Sequence, residues 1–273
     1  MTTFVAWVGA DSRGMTSMYF ASDSRLSWGQ DKKNIWDCGQ KVYASSVAPE
    51  IFGFTGYAAL PQSIISKACQ LVDRGLRSPN DEKSIEGRAD WLRLLVLREA
   101  EKHPQILEED FTIFYGVRIG HGMPGRSSFH LNTYAWDSKL KQLPHACIPM
   151  PACSAVLKIS GTGSNALGAM KKIWDASDQG NTSRTMFSAF CDSLRNGKDP
   201  YSGGEPQLVG IYREGPAKIF GVVTENGPSF QGQLDTPLSH LAKIEWRDPL
   251  FQRVDAYGNV LKKAQRHARP ARV

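Results

Sequence analysis

Cysteine is scarce in this chain and follows no pattern. Its five residues (Cys38, Cys69, Cys147, Cys153 and Cys191) are odd in number, and none forms a CxxC pair. That usage argues against a disulfide framework and a cysteine metal site, and it fits a reducing, cytoplasmic compartment. No apolar run approaches the ~20 residues needed to cross a bilayer. The chain does not open with a basic segment, an apolar core and a small-residue cleavage site, so neither a membrane span nor a signal peptide is expected. Glycine-rich phosphate loops, HExxH and GxSxG are also missing. The histidines (His103, His121, His130, His145, His240 and His267) are scattered, with no two at helical ligand spacing. Most histidine-based mechanisms fall away with them, and no cofactor or metal is expected.

A basic surface is missing too, despite a formal net charge of +6. Six of the 33 basic residues (Arg253, Lys262, Lys263, Arg266, Arg269 and Arg272) sit in the final stretch beside a single acid, Asp255. The rest of the chain is nearly neutral, so the charge belongs to a solvated tail and nucleic acid is not an expected partner. What remains is a globular composition, 41% hydrophobic and 22% charged, on a 273-residue chain long enough to bury a sizeable core.

The pattern of that core is of mixed type. Phe4 to Gly9 and Ser17 to Ala21 read as strands of one hairpin around "GADSRGM". "SDSRLSWGQDKKN" reads as loop, followed by strands near Lys41-Val42-Tyr43 and over "EIFGFTG". "AALPQSIISKACQLV" and "GRADWLRLLVLREAEKH" have helical spacing, the second with Trp91, Leu94, Leu95 and Leu97 toward the core; "RGLRSPNDEKS" between them reads as a polar connection. "DFTIFYGVRIG" and "SFHLNTYAWD" are strands. "AVLKISGTGSNALGAMKKIWDAS" passes from strand through a glycine turn to a helix with Leu167, Met170, Ile173 and Trp174 on one face. "SRTMFSAFCDSLRNG" is a second helix, capped by Ser183 and stopped by Gly197. Strands "QLVGIYREG" and "AKIFGVVTENG" follow, and the region after Ser229 is expected to hold one short helix before a disordered end. Runs of strands alternating with helix pairs argue for an α+β fold: two antiparallel sheets face to face, helices outside, a four-layer αββα sandwich.

Chemistry is sought at the start of the chain. An α-amino group has a pKa of about 7.7–8.0, so a useful fraction is free base near neutral pH. On threonine the amine stands beside a hydroxyl, and one residue then supplies both nucleophile and base. A nearby lysine would lower the amine's pKa and steady negative charge on Oγ. A buried lysine needs a carboxylate to remain charged. Thr2, Lys41 at the head of "KVY" and Asp23 in "ASDSR" are the candidates. Asp-Ser after a strand is also ordinary turn chemistry, and the residues alone fit both readings.

Five segments tip the balance. "TTFVAWV", "ASDSRLSWG", Lys41 followed fifteen residues later by Gly56 in "GFTGYAA", "SGTGSNALGAM" and "KDPYSGGEPQLVGIYREG" occur in this order. Together they make Thr2 to Val223 resemble the proteasome β-subunit family and its bacterial relatives, the N-terminal threonine peptidases. The resemblance implies the N-terminal nucleophile hydrolase fold for residues 2–228, with 229–273 as a C-terminal extension ending in a basic, partly disordered tail. It implies Thr2 as nucleophile, Asp23 paired with Lys41, and Gly56 N–H as oxyanion donor. Ser164, Asp199 and Ser202 are implied to position the amine, with Thr162 standing where serine is usual. Phe54 and Ala58 flank Gly56 and are expected to shape the substrate pocket.

The resemblance further implies a homo-oligomeric ring acting on peptides or unfolded protein, with an ATP-dependent unfoldase as a candidate partner. Departures are a longer first hairpin, an expanded middle from Arg77 to Arg126, and an unmatched region after Gly227. Only Met1 precedes Thr2, and its removal by an aminopeptidase is the expected activation step. Two other readings use the same fold. One is an amidase or acylase acting on small molecules. The other is a catalytically silent ring or scaffold subunit, which need not keep Lys41 and Asp23.

Overall fold

The computed structural model describes residues 2–28, 34–102, 108–122, 125–180, 182–234 and 244–270. Met1 lies outside them. Strands β1 (Phe4–Asp11) and β2 (Gly14–Ser22) form the first hairpin, each running further into the turn than its apolar run. Phe4, Ala6 and Val8 of β1 join one core cluster while Val5 and Trp7 join another. Both faces of the strand are covered, which is why "FVAWV" is continuously apolar instead of alternating.

β1 and β2 sit inside an eight-stranded sheet ordered β10–β1–β2–β11–β12–β14–β15, with β13 paired to β12. Its other members are β10 (Ala155–Ser160), β11 (Gln207–Tyr212), β12 (Lys218–Thr224), β13 (Gly227–Phe230), β14 (Glu245–Arg247) and β15 (Arg253–Val254). Its pairings are antiparallel except β12 with β14. A five-stranded antiparallel sheet contains β5 (Val42–Ala44), β6 (Glu50–Gly56), β7 (Phe111–Gly120), β8 (Ser127–Trp136) and β9 (His145–Ile148) in sequential order. A two-stranded ribbon, β3 (Leu26–Trp28) with β4 (Asn34–Trp36), interrupts what the sequence presents as loop and leaves Trp28, Ile35 and Trp36 exposed.

Helices α1 (Ala59–Asp73) and α3 (Ile85–Lys102) share a buried cluster with Phe52, Phe54, Ile113, Tyr115 and Tyr134 of the five-stranded sheet. Helices α4 (Ser164–Asp175) and α5 (Ser183–Arg195) share another with Val5, Trp7, Tyr19 and Leu208 of the eight-stranded sheet. A third cluster draws residues from both sheets, including Phe4, Phe20, Ile51, Phe114 and Val209. Among the described residues no helix is long and apolar enough to cross a membrane.

Several local expectations change. The polar connection 74–84 holds a one-turn helix, α2 (Pro79–Lys83), because Ser78 accepts the Asp81 N–H and Pro79 suits a first turn. On α3 the buried leucines are Leu92 and Leu95, whereas Leu94 is 56% exposed. Ile173 of α4 is likewise at the margin, 41% exposed. Thr182 caps α5 through the Thr185 N–H, and the Ser183 hydroxyl instead takes the Trp7 indole N–H. After Ser229 the described residues contain β14 and β15 and no helix; β14 lies against β12, so this part of the chain extends the same sheet.

Candidate active site

Strand register brings Thr2, Asp23 and Lys41 to one place. Phe4 is paired with both Ser22 and Ser160, and Ser22 is paired with Gln207. The chain ends of β1, β2, β10 and β11 therefore emerge together, carrying Thr2-Thr3, Asp23, Gly161 and Pro206. On the other sheet Val42 is opposite Gly53, and the Phe54 N–H donates to the Lys41 carbonyl at 3.3 Å, so Lys41 lies beside the end of β6.

Thr2 and Thr3 are held largely by their main chain. The Gly163 N–H donates to Thr2 O at 3.3 Å, and Thr2 N donates to Thr162 Oγ1 at 3.4 Å. Here Thr2 N is a peptide nitrogen, standing in for the amine that loss of Met1 would expose. A side chain on Gly161 would come within 2.0 Å of Thr2 O, so this close approach, at φ +93°, requires glycine. The Thr3 N–H donates to Asp23 Oδ1 at 2.9 Å, and Thr3 O accepts the Asp23 N–H at 3.2 Å. Thr2 is fully buried in this chain.

Asp23 and Lys41 form an ion pair at 2.9 Å in which neither side chain is accessible. Asp23 Oδ1 serves Thr3 N and Lys41 Nζ, while Oδ2 accepts the Gly203 and Arg25 N–H groups at 3.0 and 3.2 Å. The carboxylate is saturated, as a buried charge must be. Burial pulls the Lys41 ammonium below the ordinary lysine pKa, and the charge and hydrogen bond of Asp23 work against that pull.

A hydroxyl relay continues from the other side. Thr162 Oγ1 donates to Asp199 Oδ2 at 2.7 Å, Ser202 Oγ donates to the same oxygen at 2.7 Å, and Thr3 Oγ1 donates to Ser202 at 2.7 Å. Asp199 thus reaches Thr2 N through Thr162. Ser164 is one step removed: its hydroxyl donates to the Gly161 carbonyl at 2.6 Å. Gly56 closes β6 at φ +90°, where a Cβ would meet Asp110 O at 2.4 Å. Its neighbour Thr55 bonds Ser160 across the two sheets, hydroxyl to hydroxyl at 3.0 Å. Phe54 points the opposite way, fully buried in the cluster with α1 and α3, and Ala58 is half-buried against that cluster. A cavity of about 1090 Å³ lies against the loop before β11, touching Arg25, Asp37, Asp199, Ser202 and Gly203; Thr2, Lys41, Gly56 and Ala58 are not in its lining. Among the described residues no three His, Cys, Asp or Glu side chains are arranged to hold a metal ion.

In the sequence Thr162 figures only as the residue standing where serine is usual, and Gly203 does not figure as a contributor. Thr162 was visible as the polar residue between two glycines; the Gly203 contribution is a backbone N–H, which leaves no mark in a sequence.

The fold these elements make is proteasome-like and of the α+β class. It is shared with Anbu (ancestral beta-subunit) from Yersinia bercovieri, at a TM-score of 0.52 and 14% identity, covering 78% of this chain and 85% of that one. Eukaryotic HslV from Trypanosoma brucei is also similar, at a TM-score of 0.43 and 11% identity over 77% of this chain and 99% of that one. No family model and no curated protein matches the sequence.

Proposed function

We propose that this chain is an N-terminal nucleophile hydrolase of threonine type that cleaves peptide bonds. The observation that carries the reading is the buried Lys41–Asp23 pair, joined through Asp23 to the backbone of Thr3 and hence one residue from Thr2. A charge pair this deeply buried is a poor source of stability, and its place beside a hydroxyl residue at the chain start gives it a chemical use.

In this mechanism loss of Met1 exposes the Thr2 amine. Thr2 Oγ attacks the substrate carbonyl carbon while the amine, directly or through one water, takes the hydroxyl proton. Lys41 stabilises the negative charge arising on Oγ, and the Gly56 N–H receives the oxyanion. Removing one oxyanion donor typically costs about 2.7–4 kcal/mol in the barrier. The tetrahedral adduct then expels the leaving amine, which takes the proton from the Thr2 amine, and water hydrolyses the remaining ester. Thr162, Asp199 and Ser202 orient the amine, with Ser164 acting through the Gly161 turn. Ala58 borders the substrate pocket, and Phe54 shapes it from behind through packing.

The same reading includes a four-layer helix–sheet–sheet–helix sandwich, a layering that the three core clusters support, with residues 2–228 as the hydrolase domain and 229–273 as a C-terminal extension. It also includes cytoplasmic self-compartmentalised rings of this chain, fed with unfolded polypeptide, with an unfoldase where the substrate is folded.

The test is intact mass before and after a peptide epoxyketone, with hydrolysis of fluorogenic peptides in parallel. Loss of Met1 and one adduct per chain, absent in a folded Thr2→Ala variant without turnover, is the expected result. Hydrolysis retained in Thr2→Ala overturns the nucleophile. Retention of Met1 in purified, inactive protein favours a silent subunit, and turnover of simple acyl-amides with none of peptides favours an amidase.

A further inference from the structure

Gln207 opens β11 and is 1% exposed. Strand register sets it opposite Ser22, the residue before Asp23. Its side chain leaves its own sheet for the other one. Oε1 accepts the Lys41 N–H at 2.9 Å and the Val42 N–H at 3.4 Å, while Nε2 donates to the Gly39 carbonyl at 2.6 Å. The orientation of the amide follows from its partners: two N–H groups demand the oxygen, and a carbonyl demands the nitrogen. Gly232 backs the group, for a Cβ there would come within 2.8 Å of Gln207 Nε2 and 2.5 Å of Ser24 Cβ.

One side chain is thereby referenced to both halves of the ion pair. Its backbone is indexed to the end of β2, which carries Asp23, and its amide grips the segment that carries Lys41. That segment needs a grip, since β5 is a three-residue edge strand preceded by irregular chain. Further bonds tie the same stretch to the Asp23 side. The Gly39 N–H donates to Ser24 O at 2.8 Å, and Ser24 Oγ donates to Asp37 O and Glu205 O at 2.7 and 2.9 Å. Gln207 is the member of this set whose side chain contacts Lys41 itself.

We propose that Gln207 is a positioning residue: by fixing the main chain at Gly39, Lys41 and Val42 relative to the end of β2, it sets where Lys41 Nζ stands beside Asp23 and Thr2. The catalytic consequence rests on the threonine-hydrolase reading; the placement of Lys41 does not. A reacting group displaced by about 1 Å loses on the order of 10²-fold in rate, which is the scale on which such a clamp acts.

Two substitutions test this. Gln207→Met keeps length and loses every hydrogen bond. Gln207→Glu keeps the acceptor for Lys41 and Val42 and loses the donor to Gly39. Each is compared with wild type for peptide hydrolysis, for unfolding, and for the Lys41 side-chain resonance by carbon-13 NMR, assigned with a Lys41→Arg reference. The expected result for Gln207→Met is kcat lower by about 10- to 100-fold with KM within about twofold, together with a displaced Lys41 resonance. Gln207→Glu falls between Gln207→Met and wild type on both measures, and it carries the test if Gln207→Met fails to fold.

A folded variant with unchanged kcat and an unmoved Lys41 resonance overturns the proposal, whatever its loss of stability. A wild type that hydrolyses nothing, with the resonance displaced in the variants, instead overturns the hydrolase reading and leaves the clamp standing. An active wild type with an unmoved resonance does the reverse.

Discussion

Two carboxylates in this chain, Asp23 and Glu50, are completely buried, and each has four hydrogen-bond donors around it. Glu50 is met by Arg77 at 2.9 and 2.6 Å, by Arg88 at 3.0 Å and by the Tyr115 hydroxyl at 2.9 Å. Burial and the Glu50 charge hold that hydroxyl well above the ordinary tyrosine pKa, so it stays a donor. Arg77 also stacks over Trp91 at 4.6 Å, tying α3 to the sheet. Every cation there is a guanidinium, which does not give up its proton.

Asp23 differs in the nature of its cation. Two of its donors are loop N–H groups, one is the Thr3 N–H, and the fourth is an ammonium whose proton affinity burial has weakened. Of its three N–H donors, Lys41 Nζ places one on Asp23, and among the described residues no second partner is in range. The contrast teaches how to read buried charge. The Glu50 cluster surrounds its carboxylate with guanidinium groups that stay charged, with Arg77 Nε left without a partner, and it ties α3 to the sheet. The Asp23 pair instead uses an ammonium, whose hold on its proton burial weakens, and it stands one hydrogen bond from the Thr3 backbone.

The largest effects come from breaking either pair. Glu50→Ala and Lys41→Met should each cost about 3–5 kcal/mol in denaturant unfolding, since each strands buried charge. They should part company in activity: the folded fraction of Glu50→Ala retains its kcat, while Lys41→Met has no turnover. Equal kcat losses would erase the distinction drawn here. Next comes Thr162→Val, which removes the acceptor for Thr2 N and the donor to Asp199. Peptide turnover should fall by about 10²-fold or more, and Thr162→Ser should restore most of it.

A smaller effect distinguishes the pairs by pH. Because the folded-state pKa of Lys41 is lowered, the unfolded chain holds that proton to higher pH, and stability rises with pH between the lowered value and the ordinary lysine value of 10.5. Denaturation at a series of alkaline pH values should show wild type gaining on Lys41→Met across that window, with no such gain over Glu50→Gln. Smallest of all is Asp37→Asn. It weakens a partly exposed Arg25 ion pair, with side-chain exposures of 22% and 41%, and should shift unfolding by less than about 1 kcal/mol.

How much of this was legible beforehand depends on the distance over which each contact acts. Strands such as "EIFGFTG" and the helix after "GTGS" declare themselves through local pattern, and β6 runs over Glu50–Gly56 as read. Thr2, Asp23 and Lys41 stood out because a resemblance supplied their partners; spacing alone did not. The Thr2–Thr162 and Lys41–Gln207 bonds join residues 160 and 166 positions apart, and no local signal encodes them. The β3–β4 ribbon is hidden in the sequence by the polar composition of "SDSRLSWGQDKKN". On α3 the choice of Leu92 over Leu94 as an inward residue is set by how the helix rolls on the sheet, which its own sequence leaves undetermined. The short helix expected in "DPLFQRVDAYGNV" gives way to extended chain, because Arg253–Val254 pairs with β14, which itself lies against β12.

Every main-chain polar atom of the first two described residues is gripped: Thr2 N, Thr2 O, Thr3 N and Thr3 O each have a partner supplied by another segment, and Thr3 Oγ1 adds a side-chain bond to Ser202. Such a holder fixes the path of the main chain at position 2. It specifies an address for the residue there by its backbone. Serine or cysteine exchanged for Thr2 would meet the same main-chain partners, and comparing their reactivity would set hydroxyl against thiol at one address.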